Sequence, residues 1–240
     1  MSSQLSSPAQ SIASPIFTDS ATQEHELGSI TFAADGRKFR YAKAGAVALV
    51  AGTLLQNAAE VTNHQGLAVT AASAGATTVT VTLGATAATL NQYAGGYACV
   101  TVTPGLGQML KIKSHPAADA SAAVVLTLED PVAVALTTSS KIDLVANLYN
   151  GVIINPTTAT GCPVGVAINA ITAAQFGWIQ VQGPAPLLAA GANAVSNFVT
   201  SSEAVAGAVT DATHVAESAV GNCVTGAADT EVGLVLIALS

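Results

Sequence analysis

The stretch TTVTVTL, Thr77–Leu83, decides the fold class. Successive side chains of a strand point to opposite faces. Read that way, Thr78, Thr80 and Thr82 share one face, and Val79, Val81 and Leu83 share the other. Strict alternation of this kind is the signature of a half-buried strand.

The same scheme recurs in both directions along the chain. YACVTVT places Ala98, Val100 and Val102 inward, with Tyr97, Cys99, Thr101 and Thr103 opposite. Further strands are expected at SITFA, KFRYAK, AVALVAG, MLKIKS, AVVLTL, KIDLVAN, GVIIN, VGVAIN, FGWIQVQ, AVSNFVT, GNCVTG and EVGLVLIAL. PGLG, NG, GPAP and AGG punctuate them as turns. Two segments, TAATLNQYAG and DATHVAESAV, carry enough helical character for a turn or two each, the second with Asp211 as N-cap. Many short strands, Gly/Pro-rich turns and no long helical pattern predict an all-β protein of sandwich or barrel type.

Composition also divides the chain. Residues 1–28 are rich in Ser, Gln, Thr and Pro without periodicity, which predicts an extended N-terminal arm. Residues 61–150 are Thr-rich and carry KIKSH, LEDP and SKID, whereas the flanks share AGTLL, PVGVAI and EVGLVLI. The expectation is a discontinuous β base domain, 29–60 with 151–240, interrupted by an inserted β domain at 61–150.

Charged residues are 9% of the chain, against roughly 25% in an ordinary soluble protein. A surface written in Thr, Ser, Ala, Asn and Gln suits packing against copies of itself or another protein. The net charge of −7, with only seven Lys and Arg, argues against direct binding of nucleic acid. Four of the seven, Arg37, Lys38, Arg40 and Lys43, fall within GRKFRYAK, and the last of all is Lys141. From Leu144 to Ser202 there is no Asp, Glu, Lys, Arg or His. The basic cluster is a candidate for docking on an acidic surface, and equally a solvated strand face.

No secretory leader is legible in the first residues, which points to the cytoplasm as the place of synthesis. No run approaches the ~20 apolar residues of a membrane-spanning helix. Cys99, Cys162 and Cys223 lack CxxC spacing and are expected to be small buried residues.

Motifs for chemistry are missing. His25, His64, His115 and His214 stand apart, without HExxH or Cys partners. No GxSxG or Walker loop occurs, and the GLGQ of Gly105–Gln108 reads as a strand-to-strand turn. Glu129 and Asp130, the one adjacent acidic pair, precede Pro131 and read as a solvated turn rather than a glycosidase pair. The expectation is a non-enzymatic protein with no catalytic residue, metal or cofactor.

QFGWIQVQGPAPLL, Gln175–Leu188, holds the lone tryptophan. As a strand it sets Phe176, Trp178, Gln180 and Gln182 on one face, and Gly177, Ile179, Val181 and Gly183 on the other. The largest apolar side chain thus shares a face with two amides. This points either to an interface strand meeting another subunit or to a strand covered from both sides within the chain.

The runs ADGRKFRYAKAGAVALVAGTLLQ, YAGGYACVTVTPGLGQMLKIKSHPAA, VALTTSSKIDLVANLYNGVI and PVGVAINAITAAQFGWIQVQGPA together resemble head-associated structural proteins of tailed bacteriophages, in particular the decoration (cement) proteins on the outside of icosahedral capsids. The resemblance implies a virion protein of the outer capsid surface, assembled in the host cytoplasm. It implies a homotrimer that braces the major capsid protein, often through an N-terminal arm. Local physics then nominates Ile12, Ile16 and Phe17 with Arg37, Lys38, Arg40 and Lys43 as capsid contacts, and Phe176, Trp178, Gln180 and Gln182 as the subunit interface. The rival from another class is a trimeric head fibre or receptor-binding adhesin that grips host carbohydrate, with Tyr93, Tyr97 and Tyr149 as loop aromatics.

Overall fold

The computed structural model describes residues 16–212 and 219–239. The chain begins with β1 (Ile30–Phe32), β2 (Lys38–Ala44) and β3 (Leu54–Gln56). A 3₁₀ turn, Thr62–His64, leads into β4 (Leu67–Val69), β5 (Thr78–Thr82), β6 (Tyr97–Val102), β7 (Met109–Ser114), β8 (Ala123–Leu128) and β9 (Lys141–Val145). There follow β10 (Asn150–Ile154), β11 (Pro163–Val166), β12 (Phe176–Leu188), β13 (Phe198–Ser201), β14 (Val209–Asp211), β15 (Gly221–Cys223) and β16 (Val232–Ala238). The protein is all-β, and its backbone separates into two compact units: Met1–Ala58 with Leu148–Ser240, and Ala59–Asn147.

The unit Ala59–Asn147 is a closed barrel, ordered β4-β5-β8-β7-β6-β9. Its core follows the period-2 pattern: Val79, Val81, Ala98, Val100, Leu110, Ile112, Val124 and Leu126 all point inward. One residue departs from it. The β6–β9 register shifts between Val100 and Val102, and this bulge turns Val102 outward to 42% exposure. Residues 86–95 (TAATLNQYAG) form turns and no helix: Ala88 bridges Ala118, and Asn91 takes a positive φ.

The other unit is organised by β12. Up to Gln182, β12 pairs with β2; from Gln182 on, it pairs with β16. Pairings β2–β10, β10–β3, β3–β11, β11–β12 and β12–β2 close a first ring around Ala42, Leu55, Val152, Ile171 and Ile179. The far half of β12 continues through β16, β15, β13 and β14, and the Ala189–Val209 bridge brings that sheet round again. Inside it lie Ala185, Leu187, Val199, Val209, Val235 and Ile237.

GPAP therefore lies within a strand, contrary to its reading as a turn. Gly183, with φ +96°, bends β12 where one ladder hands over to the other. Leu188 has the same parity as Pro184 and Pro186, and its N–H goes to Gly52 O, away from β16. The two prolines thus lack donors only on the side where the β16 ladder needs none. AVALVAG is the opposite error: it is a loop held by the Leu49–Ile171 bridge, and the strand begins only at Leu54. DATHVAESAV falls largely outside the described residues.

Candidate functional site

The cross-strand pairs of β2 and β12 build the most distinctive surface of the first ring. Phe176 faces Lys43, Trp178 faces Tyr41, and Gln180 faces Phe39. Phe39, Tyr41, Phe176 and Trp178 form one cluster on the ring's outer side. Tyr41 and Trp178 meet with centroids 5.1 Å apart, and Tyr41 stacks on Phe176 at 6.1 Å.

Residues 16–28 cover this cluster as a strap. Ser20 and Phe176 exchange two backbone hydrogen bonds of 2.9 Å. Thr172 N donates to Asp19 Oδ2 at 2.9 Å, and Glu24 N donates to the Tyr41 hydroxyl at 3.1 Å. Hydrogen bonds from Thr172 hold the Asp19 carboxyl below its ordinary range. Ile16 and Leu27 pack on the cluster, and the His25 ring lies 5.1 Å from Tyr41 and 5.3 Å from Trp178.

The consequence is a correction to the predicted subunit interface. Trp178 is 1% exposed and Gln180 is fully buried, both by the chain's own strap and strands, and Phe176 is 9% exposed. They offer no area to a second subunit; of the four, Gln182 is exposed. Gln180 satisfies its amide internally, donating to Gln182 O at 3.2 Å and Pro184 O at 2.9 Å. Trp178 Nε1 is buried without a partner.

The predicted capsid contacts disperse as well. Ile12 lies outside the described residues, Ile16 is half-buried on the aromatic cluster, and Phe17 is 57% exposed. The four cations are half-buried and do not form one patch. Arg37 pairs with Asp35 at 2.7 Å and lies over Phe39 at 5.5 Å. Arg40 donates to Gly28 O at 2.9 Å and sits 5.2 Å from the Tyr149 ring. Lys43 rests 5.4 Å above Phe176. Strand alternation sends Lys38 and Arg40 to one face and Lys43 to the other. Three of the four cations are therefore seated on aromatic rings of their own chain, which ties them to the fold.

In the barrel, folding unites residues far apart in sequence. His64 Nδ1 meets the Tyr93 hydroxyl, and His64 Nε2 lies 2.9 Å from Thr86 O. Tyr93 N donates to His115 Nε2 at 3.0 Å, so His115 Nδ1 carries the proton it gives to Pro116 O. Burial pushes the Tyr93 hydroxyl up to about 12. Every ring nitrogen has a partner, so the trio crosslinks turns. Its sequence separation left no local signal.

The chain matches no family model, no curated protein and no solved structure.

Among the described residues no three of His, Cys, Asp or Glu gather to hold a metal ion, and no helix is long and apolar enough to cross a membrane. Cys162 is exposed, contrary to the expectation of burial; Cys223 is buried and Cys99 half-buried. Burial, and next Asp143 for Cys99 and Asp211 for Cys223, raise both of these thiols and keep them protonated. Glu129 pairs with Lys111 at 2.9 Å on the barrel surface.

Proposed function

We propose that this chain is a non-enzymatic virion structural protein that binds the outer surface of a tailed-phage capsid as a homotrimer and stabilises it. The observation that carries the reading is an exposed apolar sheet face. Register places Pro184, Leu236, Asn222 and Phe198 side by side across β12, β16, β15 and β13. Phe198 is 59% exposed and Leu236 51%, and the neighbouring Val232 and Val224 are 55% and 44% exposed. Scattered exposed apolar residues are ordinary, but a contiguous uncharged face marks a surface that meets another protein. The subunit contact is thereby moved from Trp178 to this face. Multiplied over many copies on a shell, a modest interface suffices for cementing.

Contact with the major capsid protein is assigned to Phe17 and to β1, the terminal strand of its sheet, which exposes Ile30 (42%) and Phe32 (47%). The carbohydrate-binding alternative loses its aromatic platform: Tyr93 is 2% exposed, and Tyr97 and Tyr149 are half-buried.

Co-sedimentation with phage heads, with mass measurement of the free protein, tests the proposal. The expected result is a trimer that saturates heads and raises their resistance to heat. Phe198→Asp should give a folded monomer, and Phe32→Asp a folded trimer that no longer binds heads. A wild-type monomer, or a protein that never co-sediments, overturns the reading. Removing residues 1–15 spares every contact described for the strap, whereas deletion through residue 25 would also uncover Trp178.

A further inference from the structure

We infer that a cleft in the unit Met1–Ala58 with Leu148–Ser240 binds a basic peptide segment, through the ammonium or guanidinium groups of its Lys and Arg side chains. The cleft has a volume of about 810 Å³ and lies between the loop after β10 and the turns around β13 and β14. It adjoins a second cleft of about 290 Å³, and Ala159, Ser201 and Glu203 belong to both. Two adjoining compartments suit a chain bearing successive side chains better than one compact molecule.

Its polar chemistry is one-sided. Glu203, Asp211 and Asp229 stand in the wall, with no Lys or Arg beside them. The chain has no Lys or Arg after Lys141, and among the described residues neither ion pair involves these three carboxylates. Asp229 accepts a backbone N–H from Gly191 at 2.7 Å, and Asp211 accepts from Asn197 Nδ2 at 2.7 Å, which fixes both in place without neutralising them.

Asn155 supplies the independent observation. It lines the cleft yet is 1% exposed. Its backbone N–H goes to Leu54 O at 2.9 Å, its carbonyl accepts from Gly207 N at 2.8 Å, and its Nδ2 donates to Pro156 O at 3.2 Å. Of its polar atoms Oδ1 alone has no partner, and it is buried. A buried amide oxygen in an acidic cleft calls for an N–H donor carrying positive charge. The carboxylates are too dispersed to converge on one metal ion, so the matching cation is one whose charges are spread along a chain. The wall has no aromatic residue on which a sugar ring would stack. This inference stands independently of the capsid reading.

The test is titration of the full-length protein with a trilysine peptide at low salt, followed by calorimetry and by the Asn155 side-chain amide resonance. Saturable binding that weakens with salt and shifts the Asn155 resonance is expected. Glu203→Gln should weaken it about ten-fold. Glu60→Gln, in the other unit and equal in net charge, should leave it unchanged. Glu203 is exposed, so its variant keeps the fold. Equal loss in both variants, an unmoved Asn155 resonance, no binding, or binding of a neutral oligosaccharide in place of the peptide each overturns the inference.

Discussion

The two units solve the same problem, a closed β core made of small side chains, in different ways. The barrel of Ala59–Asn147 closes with six short strands, none of which is shared with a second sheet. The other unit hangs two closed sheets on the single strand β12, and then covers the outer side of one of them with a strap drawn from its N-terminal end. The barrel distributes its stability over many equivalent Val, Leu and Ile positions. The other unit concentrates it in one strand and one aromatic cluster, so its response to substitution should be less even.

Trp178→Ala should have the largest effect. It empties the space under the strap, and loss of a buried Trp costs about 3–5 kcal/mol. Hydrogen exchange should show faster opening of β2, β12 and β16 while the barrel amides stay protected; uniform loss of protection in both units would erase the proposed contrast. Leu126→Ala is the counterpart in the barrel, with a cost of about 2–5 kcal/mol confined to β4–β9.

Response to pH separates the units again. Tyr93 ionises at about 12 when folded against about 10 when unfolded, so its contribution is complete below pH 10. It is lost as the pH rises from 10 to 12, on the order of 2 kcal/mol, because only the unfolded chain ionises there. Tyr93→Phe should flatten the barrel's alkaline denaturation curve across that window. Asp19 behaves in the opposite sense: its carboxyl is held below the ordinary range, so its contribution is present at neutral pH and lost as the pH falls through the folded-state value. Acid should therefore loosen the strap, read as a change in Trp178 fluorescence that Asp19→Asn removes. The smallest effect belongs to Lys111→Ala, since a surface pair such as Lys111–Glu129 contributes about 0–1 kcal/mol.

Much of the strand content was legible because alternation is a local property. MLKIKS and AVVLTL coincide with β7 and β8, residue for residue. AVALVAG failed because an apolar run without alternation has no preferred face, and Leu49 is buried from a loop. GPAP failed because Gly and Pro look like a turn wherever the sheet's edge is unknown. The candidate site was legible only in part. The shared face of Phe176, Trp178 and Gln180 followed from parity, but what covers that face did not.

The sequence by itself determined an all-β chain, poor in charge, with its cations gathered early and none after Lys141. Only the tertiary structure decided that β12 serves two closed sheets, that residues 16–28 bury Trp178, and that Asn155 lines one cleft with Glu203, Asp211 and Asp229. The physical reason is range. A period of two residues is written into neighbouring side chains, whereas ring closure and the cover over an aromatic face depend on which distant segments together exclude the most water, and no local pattern encodes that choice.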